Sequence, residues 1–384
     1  MPALLNLGYF VETNGMLHFT GTKFRFYAFI SMLLLVFVHG YNLQNTYLQP
    51  FSCVEEPLNL TTFTEYFLAN GLFRFRIPML FIISGYLYAM HDSKPWKQRM
   101  GKRLRTLGLP YLIWSAVGML ITLIWQYFPF TMQFLQQAQL DQMGDNRPYW
   151  EMTWQQLLER WTLAPIAFQF WFIRVLLIYN AIYPLLRWVT QKGALIWFLI
   201  IGFFWLVTAN VYFLEGEGLL FFSLGIWLQK RNNWIEEKPK WILMPAVWIV
   251  FITTALVKTF LAFKLSSAAA SSFWILSVLH KTTVFTGLIA VWYGLDAVVK
   301  WFKQQPWLVW MSGFSFIIYA LHNPLVNYLM RMSTQFTQSF AYHRLFNFLV
   351  VPTVVILLCI AIGAIFRAVL PKWYAITTGD RGLQ

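Results

Sequence analysis

His39 closes an apolar run that has no other ionisable group above its first turn. In KFRFYAFISMLLLVFVHGY, Lys23 to Tyr41, thirteen uncharged residues separate it from Arg25. An imidazole near its ordinary pKa can take the proton of an attacking hydroxyl, and a guanidinium can hold a phosphate or carboxylate. On a helix, fourteen steps set the two groups roughly 21 Å apart on nearly one face. Arg25 also reads as a side chain that snorkels to the headgroups, and His39 as a hydrogen-bonded structural histidine. Arg74, Arg76, Arg174, Lys258 and Lys281 join Arg25 within or at the rims of apolar runs, whereas almost every carboxylate falls outside them. Cations without acidic partners in such places call for an anionic ligand, either a reactant or a cargo.

Other groups carry two readings each. Arg74 and Arg76 lie two apart and should point in different directions, one of them at a rim. Ser84 precedes Gly85, a small pair suited to close helix packing or to a reactive hydroxyl. His322, in the middle of an apolar run, is a second pocket group or a satisfied core residue. Lys102, Arg103 and Arg105 belong to a basic cluster that sets topology and can also face an anion at a cytoplasmic mouth. His280 and Lys281 have no motif behind them. Cys53 and Cys359 lie far apart without ligand spacing, so neither a disulfide nor a metal site is expected.

The elements that position these residues are membrane helices. Of 384 residues, 58% are apolar and 20% aromatic, and only 11% are charged, with a net charge of +14. A soluble fold of this length needs more charge to cover its surface, so the chain reads as an all-α, polytopic membrane protein. Spanning runs occur at about 24–42, 72–90, 107–128, 166–188, 195–213, 219–228, 241–263, 273–295, 307–329 and 346–370, which predicts about ten helices. The sixth run is short and follows a tight turn around Glu215 to Gly218. Residues 1–20, with Glu12, Asn14 and His18, lack a cleavable signal, and the first helix is expected to serve as its own. Asn59-Leu60-Thr61 fits a glycosylation acceptor pattern.

The Lys94–Arg105 loop is the densest basic cluster and is placed in the cytoplasm. The remaining loops then alternate, with 18 basic residues inside, five outside and both termini cytoplasmic. The longest polar stretch, about Pro129–Pro165, falls outside. Its Gln, Trp, Tyr and acidic residues suit a carbohydrate-facing surface, or an ordered connecting loop with an amphipathic helix near Trp150–Trp161.

Four ordered segments resemble one family. RFRIPMLFIISGYLY at Arg74–Tyr88, KRLRTLGLPYL at Lys102–Leu112, FWFIRVLLIYNAIYPLL at Phe170–Leu186 and SGFSFIIYALHNPL at Ser312–Leu325 are similar to elements of the acyltransferase-3 family of bacterial inner-membrane O-acyltransferases. The resemblance covers essentially the whole membrane core. There are two departures. The family usually spaces Arg and His of the first helix with ten residues between them, and here Ala28 occupies that arginine position. The family often has His two residues before the Trp-Phe pair at 171–172, and here that residue is Gln169.

The resemblance implies a single membrane-embedded domain over 1–384, with a core of about 24–370, in the bacterial inner membrane. It implies transfer of an acetyl or similar short acyl group from cytoplasmic acyl-CoA to a hydroxyl of a cell-surface or periplasmic glycan. His39 would be catalytic. Arg25, Arg74, Arg76, Ser84, Gln169 and His322 would contact substrate, and Lys102, Arg103 and Arg105 the donor phosphates. The expected partners are acyl-CoA, most simply acetyl-CoA as co-substrate, a glycan or other alcohol, and the bilayer. No permanently bound cofactor, metal or nucleic acid is expected, nor a soluble domain beyond the last helix. A transporter or flippase for an anionic glycan or lipid is the competing reading, although neither paired inverted halves nor broken helices in equivalent positions are visible.

Overall fold

A computed structural model describes residues 15–41, 49–137, 147–208, 210–211, 214–230 and 233–382. Residues 1–14, which carry most of the uncleaved-signal reading, and 138–146 of the long polar stretch lie outside the described residues. The protein is helical, as composition requires. The helices are α1 (Gly15–Gly40), α2 (Leu60–Tyr66), α3 (Arg76–Ala89), α4 (Trp96–Arg103), α5 (Leu109–Tyr127), α6 (Pro129–Gln137) and α7 (Trp154–Thr162). There follow α8 (Trp171–Ala181), α9 (Tyr183–Lys192), α10 (Ala194–Leu206), α11 (Gly216–Lys230), α12 (Asn233–Glu236), α13 (Met244–Lys264) and α14 (Ala270–Gly294). The last are α15 (Asp296–Lys303), α16 (Pro306–Ser312), α17 (Ser315–Thr337), α18 (His343–Val369) and α19 (Pro371–Thr378). Before α11, β1 (Asn210–Val211) and β2 (Leu214–Glu215) form a short antiparallel pair.

The predicted count of about ten spans is not reached. Six helical stretches among the described residues are long and apolar enough to cross a membrane, or up to eight if two bent pairs each count as one span. The bends fall between α8 and α9, at 66°, and between α16 and α17, at 62°. The other two runs form α10 and α11, of 13 and 15 residues. A straight helix of that length covers roughly 20–23 Å, short of a hydrocarbon core of about 30 Å.

Local signals account for the ends. Asn59 caps α2: its side chain accepts from the Thr62 N–H at 3.0 Å, and Thr62 Oγ1 accepts from the Asn59 N–H at 3.0 Å. This reciprocal pair satisfies donors that the first turn leaves open. Thr153 and Gln156 cap α7 in the same way, within the region expected to hold an amphipathic helix. The stretch joining α2 to α3 winds first as a π-helical turn, 67–71, and then as a tighter 3-10 turn, 72–75.

The tightest crossing in the core is that of α3 with α11. A Cβ on Gly85 would stand 2.2 Å from the Phe222 carbonyl oxygen, and one on Gly225 2.2 Å from that of Ile82. Backbone therefore meets backbone, the packing role anticipated for the Ser84-Gly85 pair.

Ion pairs gather at opposite ends of the bundle. Asp92 meets Arg99 at 3.1 Å, Arg187 at 3.0 Å and Lys230 at 3.3 Å, and accepts from the Tyr183 hydroxyl at 2.5 Å. Lys23, almost wholly buried, pairs with Asp296 at 2.7 Å. Arg344 meets Glu56 at 2.5 Å and Glu65 at 3.0 Å. The first two groups use residues that loop charge assigns to one side, and the third uses residues assigned to the other. Cys53 and Cys359 are free thiols.

Candidate active site

The site is built where α17 breaks. Pro324 has no N–H to offer Ala320, and Asn323 leaves the helical region at φ −122° and ψ 128°, so carbonyls in the preceding turn lose their usual donors. Two side chains replace them. Gln169 Nε2 donates toward the carbonyls of Tyr319 at 3.3 Å, Ala320 at 3.3 Å and Asn323 at 3.0 Å. His322 Nδ1 lies 2.9 Å from the carbonyl oxygens of both Ile318 and Tyr319. Two acceptors at Nδ1 require the proton there, which leaves Nε2 as the acceptor nitrogen of the neutral ring. That Nε2 and Gln169 Oε1 are buried acceptors with no hydrogen-bond partner among the described residues. Tyr319 returns the contact, its hydroxyl donating to the Gln169 carbonyl at 2.6 Å.

α1 brings His39 to this break. Its ring centroid is 5.3 Å from that of His322 and 4.8 Å, edge-on, from Phe168. His39 and Gln169 line a cavity of about 420 Å³ with Arg74, Arg76, Glu217, His280 and Lys281. His322 stands behind His39 and is fully buried.

Both Arg74 and Arg76 line this cavity, although they lie two apart in the chain. Arg74 belongs to the 3-10 turn, 72–75, and Arg76 opens α3, so the angular step between them differs from that on a continuous α-helix. Arg74 donates to the Asn70 side chain, and Arg76 Nη1 to the Phe73 carbonyl at 3.0 Å. Asn70 in turn donates to the Tyr41 hydroxyl at 2.6 Å. Its carbonyl accepts from Lys258 at 2.5 Å, and the same ammonium lies 3.3 Å from His280 Nδ1. Glu217 accepts from Trp205 Nε1 at 3.2 Å.

Two further cavities adjoin the first. A small one of about 100 Å³ shares Phe172 and Tyr319 with it, and is lined by Ala28, Leu80, Ser84 and Arg381. A larger one of about 540 Å³ shares Phe168 and Trp171 with it, and is lined by Arg147, Gln156, Glu159, Arg160 and Arg174. Along α1, Ala28 of the small cavity lies about 17 Å from His39 of the central one.

The remaining residues singled out from sequence are spread around this path. Ser84 faces the small cavity and not the chamber that holds His39. Arg25 lines none of the three. Its Nε donates to Ser312 Oγ at 2.7 Å and its Nη2 to the Val309 carbonyl at 2.7 Å, so it ties α1 to the end of α16. Arg103 is buried, 5.1 Å from the Tyr88 ring, whereas Lys102 is half-buried and Arg105 exposed. His280, Lys281, Glu217 and Arg381 have no motif that assigns them to a site, although Lys281 counts among the cations in apolar runs. For the first two, the cost of carrying ionisable groups inside a long apolar run was itself a signal. Glu217 belonged to a turn, and Arg381 was counted only toward topology. Burial, with the charge of nearby Arg103, pushes the Arg381 guanidinium down to about 9, which still leaves it protonated at neutral pH.

The profile of the family described as "Acyltransferase domain" matches residues 20–370, which contain every residue lining the cavities of about 420 and 540 Å³. The chain is also 26% identical over 324 residues to the succinoglycan biosynthesis protein ExoH of Rhizobium meliloti (strain 1021), covering 82% of this chain and 81% of that protein. No solved structure matches it. The four motifs, the helical core and the profile agree, and the chain belongs to the acyltransferase-3 family.

Proposed function

We propose that the protein transfers an acetyl or similarly short acyl group from acyl-CoA, entering at the Arg103 and Arg381 end, to a hydroxyl of a glycan presented from the Arg147 and Arg174 end. The observation that carries this reading is the set of three cavities joined through shared lining residues, of about 100, 420 and 540 Å³. The small, apolar segment suits a linear pantetheine arm. The central chamber holds a base among cations, and the outer one offers guanidiniums, amides and a tryptophan face for a sugar. The relative's place in succinoglycan biosynthesis supports a glycan acceptor.

The chemistry then follows from the side chains. His39 takes the proton of the acceptor hydroxyl as its oxygen attacks the thioester carbonyl. Arg74 and Arg76 supply positive charge as the carbonyl oxygen becomes negative, in a chamber where water screens little. Collapse breaks the carbon–sulfur bond, and the imidazolium returns its proton to the departing CoA thiolate. His322, with its proton fixed on Nδ1, presents Nε2 as an acceptor that can orient His39.

The test uses purified protein in lipid nanodiscs with acetyl-CoA and a lipid-linked oligosaccharide, following thiol release and acceptor mass. Wild type should release CoA only as the acceptor gains mass. His39→Ala should lose about 10²–10⁴-fold in rate while still binding acyl-CoA. Glycan translocation without thiol release, or full activity in His39→Ala, would overturn the reading.

A further inference from the structure

The last described turn of the chain leaves the surface and enters the core. After α19, Gly379, Asp380 and Gly382 take φ values of 61°, 65° and 72°, left-handed backbone that reverses the chain within a few residues. A Cβ on Gly379 would stand 2.3 Å from the Thr106 carbonyl oxygen, and one on Gly382 2.0 Å from that of Gly313. The turn is thus pressed between the stretch leading into α5 and the link between α16 and α17. It is held there by Trp114 Nε1 donating to the Thr377 carbonyl at 2.8 Å, and by Arg367 Nη1 donating to that of Gly382 at 2.8 Å. Thr378 Oγ1 donates to the Arg381 carbonyl at 3.0 Å.

What this clamped turn delivers is one side chain. Arg381 is 5% exposed, donates Nη1 to the Thr378 carbonyl at 2.8 Å, lies 4.8 Å from the Phe316 ring and reaches the lining of the small cavity. Arg103, 4% exposed, lies three residues before Thr106, against which the Gly379 turn is pressed, and its Nη1 has no hydrogen-bond partner among the described residues. Among the described residues no carboxylate forms an ion pair with either guanidinium; Asp380 is the acidic group whose charge reaches Arg381. Two buried like charges with an unmet donor are costly unless an anion completes them.

We infer that Arg381, delivered by the C-terminal turn, forms with Arg103 a phosphate-binding pair at the inner mouth of the small cavity, and that the phosphates it takes are those of the acyl-CoA donor. This rests on the acyl-CoA reading above. The two guanidiniums fix the nucleotide end while the pantetheine arm runs past Ala28 and Ser84 toward His39. The tail is then part of the donor site.

The test compares two ligands on full-length protein in nanodiscs: acetyl-CoA, and S-acetylpantetheine, which lacks the phosphates. Arg381→Ala should raise the Kd for acetyl-CoA about 10- to 100-fold, the loss of a charge-assisted hydrogen bond, and leave that for S-acetylpantetheine unchanged. Arg381→Lys should recover part of the difference by keeping the charge without the planar fork. Thermal unfolding of each variant reports whether the tail stays docked. An equal loss for both ligands would make Arg381 a structural strut, and no loss for either would take the pair out of the donor site; both overturn the inference. If wild type itself binds acetyl-CoA no better than S-acetylpantetheine, the donor reading fails at its first step.

Discussion

Arg25 and His39 share one helix and part company in role. His39 stands in the central chamber against Phe168 and His322, whereas Arg25 spends two donors on Ser312 and Val309. Arg25→Ala is therefore expected to leave acyl-CoA affinity within about twofold and to lower stability by about 1–3 kcal/mol, since a charged group's hydrogen bonds and the acceptors they served are lost together. Thermal unfolding and donor titration on the same preparation check it. An affinity loss without a stability loss would return Arg25 to the donor site. His39 was legible because an imidazole has no cheap reason to sit in an apolar run. The role of Arg25 was not, because snorkelling, phosphate binding and bracing a neighbouring helix end all ask for the same residue type at the same depth. Gln169 shows the converse. Sequence offered it as a substitute for an imidazole, and the structure shows it serving the carbonyls that the break near Pro324 sets free.

At the scale of elements, hydropathy located every apolar run but not its course. The run at 166–188 reads as one helix and bends by 66°, and that at 307–329 bends by 62°. A bend leaves mean apolarity unchanged, so it is invisible to the measure that finds the run. The same holds for the 3-10 turn, 72–75, that precedes α3 and carries Arg74 into the cavity that Arg76 also lines. Close crossings are easier, because glycine leaves a mark. Gly85→Ala and Gly225→Ala each place a methyl group 2.2 Å from a facing carbonyl oxygen. Each should destabilise the fold by about 1–3 kcal/mol or more through forced separation of α3 and α11. Gly101→Ala, which meets nothing within 4 Å, should have little effect. Equal unfolding temperatures for all three in detergent would remove the close crossing as a stabilising feature.

For the whole molecule, loop charge divided the chain into two sides, and the ion pairs respect that division. Asp92 gathers Arg99, Arg187 and Lys230 at one end, and Arg344 gathers Glu56 and Glu65 at the other. With single cysteines at Lys97 and Gln156, an impermeant maleimide applied to intact cells should label position 156 and leave position 97 until the membrane is opened. Labelling of both from one side would reverse or abolish the proposed direction of transfer. The set of chambers was beyond any sequence argument, because each is lined from several helices far apart in the chain, and the tail that reaches the small one looked like an ordinary basic terminus.

The rings that these chambers share carry a consequence for the host cell. A membrane that stores energy as an ion gradient tolerates a catalyst working from both of its faces only if no continuous thread of water joins them. Phe172 with Tyr319, and Phe168 with Trp171, are the residues shared at the two junctions, and on the proposed reading their aromatic faces would interrupt a file of hydrogen-bonded water along which protons could run. On that reading, the side chains that the reactants would pass are also those that would insulate the membrane, so enlarging the passage for a bulkier acyl group should leak the gradient.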